Sequence, residues 1–128
     1  MARVERFEEL IAWQKARALN RALEEAIASA KLRQNYGLRD QIARASVSIM
    51  ANIAEGFDRS GTGEFEHFLS IAKGSCAEVR SHLYAAVDGG YIGQDAFAML
   101  QAQAEEVSRI IAGLRSAVRA SRTARTRP

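Results

Sequence analysis

Apolar residues recur three and four positions apart along four stretches of this chain, the spacing of one face of an α-helix. The first stretch predicts a helix over about Phe7–Lys31, with Leu10, Ile11, Ala18, Leu19, Ala22, Leu23, Ala26, Ile27 and Ala30 as its stripe. Asn35, Tyr36 and Gly37 read as the turn that follows. The second helix is expected over Leu38–Phe57, with Leu38, Ile42, Ala45, Ile49, Ile53 and Phe57 inward. Gly56 and the run from Asp58 to Gly63 end it. A third helix starts near Gly63, with Thr62 as its expected cap and Glu64 and Glu66 in its first turn. Its stripe is Phe65, Phe68, Leu69, Ala72, Cys76, Val79, Leu83, Ala86 and Val87, and Gly89-Gly90 stop it. After Tyr91-Ile92-Gly93 the fourth helix runs over Gln94–Arg119, with Phe97, Leu100, Ala104, Val107, Ile110, Ile111, Leu114 and Val118 inward. No strand alternation competes. Helices of about 20–26 residues are about 30–39 Å long. Similar lengths and short links predict an all-α fold, an antiparallel up-down-up-down four-helix bundle over residues 1–119. Residues 120–128 are expected to be a basic, disordered C-terminal tail.

The apolar stripe is too wide in places. A core-facing helix needs about three apolar positions per heptad. The second helix adds Val47, Met50, Ala51 and Ala54, the third adds Ile71 and Tyr84, and the first adds Trp13. A chain of 128 residues makes one domain, too small to bury four such helices on all sides. The excess predicts self-association. Small and polar residues also stand where a plain bundle would carry Leu. Asn52 and Glu55 follow the second stripe, and Gly56 comes next. Gly74 and Ser75 lie mid-helix between Ala72 and Ala77, a cluster that would let another backbone approach closely. If buried, Asn52 and Glu55 need partners, with Lys73, Arg44 or helix-end amides as candidates.

Composition changes the picture only at one end. The net charge is +3. From Val107 onward there are six arginines (Arg109, Arg115, Arg119, Arg122, Arg125 and Arg127) and no acid. The preceding residues hold the other twelve basic residues against all fifteen acidic ones. The basic end reads either as a site for an anionic partner such as nucleic acid or as a solvated helix end whose cations complement the helix dipole. No apolar run reaches the roughly 20 residues of a membrane span, and MARVERFEEL carries no signal core. The lone Cys76 sits on an apolar face, as in a reducing compartment. A cytoplasmic location, with no membrane partner, is expected.

Catalytic chemistry finds little support. Glu64-x-x-His67 has the spacing of one di-metal ligand pair, but a bundle site needs a second such motif and further glutamates. Cys76 and His82 are six residues apart, not the three or four that bring side chains together. No phosphate-binding glycine loop is present. No catalytic residue, metal ligand or cofactor is expected.

An ordered set of motifs carries a resemblance. Phe7-Glu-Glu-Leu-Ile-Ala-Trp13-Gln14-Lys15-Ala16 resembles the F-x-x-L-x-x-W-x-K-A opening of the four-helix-bundle family of 23S rRNA intervening-sequence proteins. Tyr36-Gly37-Leu38, Asn52-Ile53-Ala54-Glu55-Gly56, Glu64-Phe65 through Ala72-Lys73-Gly74-Ser75, Glu78 and Gly90-Tyr91-Ile92 follow in order, covering residues 7–118. The chain departs from the family pattern at Met50, where proline is usual, and in the first turn, which lacks prolines. The family is similar to the accessory variability proteins of diversity-generating retroelements, which form pentameric rings and bind a reverse transcriptase and RNA. The resemblance implies a homopentamer and a role with RNA or a ribonucleoprotein. It marks Trp13, Asn52, Glu55, Gly56, Gly74 and Ser75 as the structural signature. Three readings follow: a non-enzymatic oligomeric adaptor binding RNA or an RNA-handling protein through the six arginines, a structural or protein-interaction oligomer with no nucleic-acid role, and an enzyme using Glu64, His67 or His82.

Overall fold

Leu10 is extended, with ψ 127°, and this break sets the phase of everything after it. In the computed structural model, which describes residues 3–29, 31–59 and 61–126 except for the side chains of 122–126, the first predicted helix is three pieces. A 3-10 turn at Phe7–Glu9 precedes Leu10, α1 spans Ile11–Ser29, and a second 3-10 turn covers Lys31–Gln34. The Glu9 carboxylate accepts from the backbone N–H groups of Glu5 (2.8 Å) and Arg6 (3.2 Å), holding the first turn. Started at Ile11, α1 turns Ala12, Ala16, Leu19 and Leu23 inward. Ile11 and Ala18, expected in the core, are exposed. Ala30 lies outside the described residues.

Helix α2 spans Tyr36–Asp58. Tyr36 and Gly37 are helical rather than turn, because Asn35 caps the helix by accepting from Leu38 N–H at 3.1 Å. The helix is continuous across Met50, as expected where no proline removes a donor. Helix α3 spans Thr62–Asp88. Its N-cap is Gly61, without a side-chain bond, and Thr62 is already helical. The C-terminus closes as a Schellman motif: Gly90 has φ +75°, Tyr91 N–H donates to Ala86 O at 2.9 Å and Gly90 N–H to Val87 O at 3.1 Å. Helix α4 spans Gln94–Thr126 and runs past the expected end at Arg119. Ala120 to Arg125 contains neither glycine nor proline to stop it.

Each helix packs on two others, α1 and α3 each lying against α2 and α4, and the α2–α3 and α3–α4 seams are the most extensive. This is the all-α up-down-up-down bundle. Leu19, Ile42, Ile49, Ile53, Leu69, Val79, Leu83, Leu100, Val107 and Ile111 fill its centre. At one end the two connections meet: Leu32 and Ile92 are buried, and Leu32 N–H donates to Tyr91 O at 3.3 Å. The other end carries the α2–α3 link, the start of α1 and the arginine-bearing end of α4.

Candidate functional site

Of the signature residues, Asn52, Gly56 and Ser75 meet along the α2–α3 seam. Gly56 is the position of closest approach: a Cβ there would lie 2.7 Å from Phe68 Cβ and 3.1 Å from the Phe65 ring. One turn earlier, Asn52 Nδ2 donates to Ser48 O (2.8 Å) and Ser48 Oγ (3.0 Å). Ser48 Oγ in turn shares a 2.9 Å hydrogen bond with Ser75 Oγ of α3. The Asn52 amide thus finds its partner inside the seam in Ser48 rather than in Lys73 or Arg44. Glu55 is exposed and forms a 2.9 Å ion pair with Arg59. Arg59 also reaches Glu64 at 3.3 Å and lies 5.0 Å over the Phe68 ring, bridging the end of α2 to the start of α3. Gly74 is exposed, and a Cβ there would meet nothing within 4 Å. Within one chain the expected close backbone contact is therefore at Gly56 and not at Gly74. Trp13 is half-buried, edge-on to Phe7 at 5.2 Å, with Arg17 5.7 Å from its ring.

The arginines divide. Arg119 Nε donates to Glu66 Oε1 at 2.6 Å across the α3–α4 seam, and Glu66 is only 7% exposed. Arg115, one turn earlier, also lies in the protein's outer shell, half-buried. Its Nε is shut from solvent with no hydrogen-bond partner. Arg109 is exposed, roughly 80° around the helix and about 15 Å along it from Arg119 by helix geometry. The side chains of Arg122 and Arg125, and all of Arg127, lie outside the described residues. Glu66 is a site residue that the sequence reading misplaced in the first turn. Its heptad relatives Lys73 and Arg80 are the available signal, because Arg80 also meets α4: its O accepts from Gln101 Nε2 at 2.8 Å.

Reactive groups are inert or dispersed. Burial pushes the Cys76 thiol up to about 11, against a smaller opposing pull from Lys73 and Arg80. No group of three His, Cys, Asp or Glu residues among the described residues could hold a metal ion. Glu64 is engaged with Arg59, His67 lies edge-on to Phe68 at 5.8 Å, and His82 Nε2 is buried without a hydrogen-bond partner. None of the three meets another in a catalytic arrangement. Among the described residues no helix is long and apolar enough to cross a membrane.

A family profile described as "23S rRNA-intervening sequence protein" matches residues 8–113. The chain belongs to this family. The intervening-sequence family match includes every signature residue from Trp13 to Ser75 and, of the arginines, only Arg109. The fold is similar to that of a solved protein of unknown function from the S23 ribosomal protein family of Bacteroides thetaiotaomicron. The TM-score is 0.73 at 18% identity, over 81% of this chain and 97% of that one. The chain matches no curated protein. The match to the intervening-sequence family thus spans α1 to α3 and the first part of α4, while most of the basic segment lies beyond the matched residues.

Proposed function

We propose that the protein is a non-catalytic, homo-oligomeric adaptor of the cytoplasm, a pentameric ring of four-helix bundles that binds RNA through the arginine-bearing end of α4. The observation that carries the oligomer is the strip of apolar residues left on the outer faces of α2 and α3. Val47 is 51% and Ile71 40% exposed, and Ala51 and Gly74 beside them are exposed as well. Apolar surface of this kind marks association sites. The resemblance to ring-forming proteins supplies the subunit number and suggests a reverse transcriptase as a protein that could share the RNA. The basic, acid-free segment after Val107 supplies the nucleic-acid contact, which would be of the phosphate-dominated, sequence-independent kind. Repetition of one patch around a ring would add weak contacts through avidity.

Light scattering at micromolar protein is expected to give a mass five times the 14.0 kDa of one chain. The mass of a single chain would remove the oligomer. A gel shift with single-stranded RNA, comparing the full chain with one ending at Val118, tests the second half. The full chain should bind more tightly, with affinity falling steeply between about 50 and 200 mM salt. Equal binding would move the contact away from the last turns of α4. No binding at low salt would leave the structural oligomer, a reading favoured by the engagement of Arg119 with Glu66.

A further inference from the structure

A pocket of about 360 Å³ opens beside the start of α3, lined by Gly63, Glu66, His67, Ser70 and Arg115. The Glu66 carboxylate is matched by Arg119. Arg115 is half-buried, and its Nε, shut from solvent, has no hydrogen-bond partner among the described residues. A guanidinium nitrogen that has lost its hydration without gaining an acceptor is costly. A buried polar atom left without a partner calls for an ion or water that completes it.

We infer that this pocket binds a phosphate group, carried on an RNA backbone or free in solution. A guanidinium presents a planar fork of donors that matches the oxygens of phosphate. His67 also lines the pocket and offers a ring N–H as a further donor. Ser70 Oγ donates to Glu66 O at 3.2 Å, long for a hydroxyl donor, so the hydroxyl can turn to a better acceptor. A Cβ at Gly63 would meet nothing within 4 Å, so the mouth is open. The volume lies near the small end of ligand pockets, which begin at about 300 Å³, and suits a phosphate with little more than its sugar. The RNA source rests on the function proposed above. The inorganic-phosphate source does not.

The test is an NMR titration of the full chain with inorganic phosphate, against sodium chloride at matched ionic strength, following the Arg115 Nε–H and His67 ring signals. Saturable shifts with phosphate alone are expected, lost in Arg115→Gln. His67→Ala should weaken phosphate about three- to tenfold, the worth of one hydrogen bond. Equal, non-saturating shifts in both salts would overturn the site. If Arg115→Gln does not fold, the His67→Ala titration decides, and unchanged affinity overturns it. A second arm measures filter binding of single-stranded RNA with inorganic phosphate as competitor. Displacement of RNA, with weaker RNA binding by His67→Ala, assigns the site to the RNA backbone. RNA binding without displacement, beside a saturable phosphate signal, assigns it to free phosphate. Saturable phosphate in a protein that binds no RNA supports the pocket and overturns the RNA reading alone.

Discussion

Gly56→Ala should destabilise the bundle, and Gly74→Ala should not. The new Cβ at Gly56 would stand 2.7 Å from Phe68 Cβ, where ordinary contact begins at 3.4 Å. The obstructing atom is the stem of Phe68, fixed to the α3 backbone, so no rotamer change relieves it. The helices must separate by roughly 0.7 Å along their most extensive seam, and overpacking of this kind costs about 1–3 kcal/mol. Replacing a mid-helix glycine by alanine returns up to about 1 kcal/mol. The rigid obstruction puts the cost toward the upper end, leaving a net loss of about 1–2 kcal/mol. At Gly74 the helix gain is unopposed, because nothing lies within 4 Å, and about 1 kcal/mol of stabilisation is expected. Urea unfolding followed by far-UV circular dichroism, at equal protomer concentration because assembly adds to stability, should separate the two variants by about 2–3 kcal/mol. Equal midpoints, or a Gly56→Ala protein as stable as the parent, would refute the assignment of close packing to Gly56. A reduced mass of Gly74→Ala in light scattering would place Gly74 in the assembly rather than in the fold.

Glu55→Ala is expected to change stability by no more than about 0.5–1 kcal/mol, since its partner Arg59 is an exposed i,i+4 contact of a kind worth little; a larger loss in urea unfolding would contradict this. Asn52→Ala removes both donations to Ser48 and should cost about 1 kcal/mol, with a Ser75→Ala double variant losing less than the sum of the two singles. Cys76 should resist iodoacetamide at pH 8 until urea unfolds the chain, because its thiol is fully buried and raised to about 11. The unfolded thiol ionises first, so the stability that Cys76 contributes is whole below pH 9 and is lost as pH rises towards about 11; a melting temperature flat across that window in wild type, or an equal fall in Cys76→Ala, would contradict this.

The bundle was legible because Leu, Ile and Val recur at helical spacing on one face of α2, α3 and α4, with Val47 and Ile71 standing outside it. Ile42, Ile49, Ile53, Val79, Leu83, Leu100 and Val107 are all buried as their spacing requires. The first helix was less so. Its alanines at 12, 16, 18, 22 and 26 give no contrast between faces, and the extended Leu10 sets a phase that puts Ile11 63% exposed. The α2–α3 signature was visible as a run of unusual residues, but the sequence could not say which glycine meets a neighbour. That depends on Phe68 arriving opposite Gly56, a tertiary fact. Glu66 was hidden for a related reason: its burial comes from Arg119, 53 positions away, and an acidic residue near a helix start already has a sufficient local explanation.

The bond between Leu32 N–H and Tyr91 O ties the two connections together at one end of the bundle. Helices α2 and α3 are neighbours in the chain and form the tightest seam, so they make the natural spine. Helices α1 and α4 close on each other last in sequence, across Lys15–Glu106 and beside the apolar groove that Leu10, Ile110 and Leu114 line. If that α1–α4 seam parts, the buried Leu32 and Ile92 and the bond between their connections keep one end shut, and the helices swing from there. Local opening of this kind follows the weakest contacts. It would widen the bundle at the end where α1 begins, because α4 stays held to α3 through Arg119 and Glu66, and α1 would turn about the connection at Leu32.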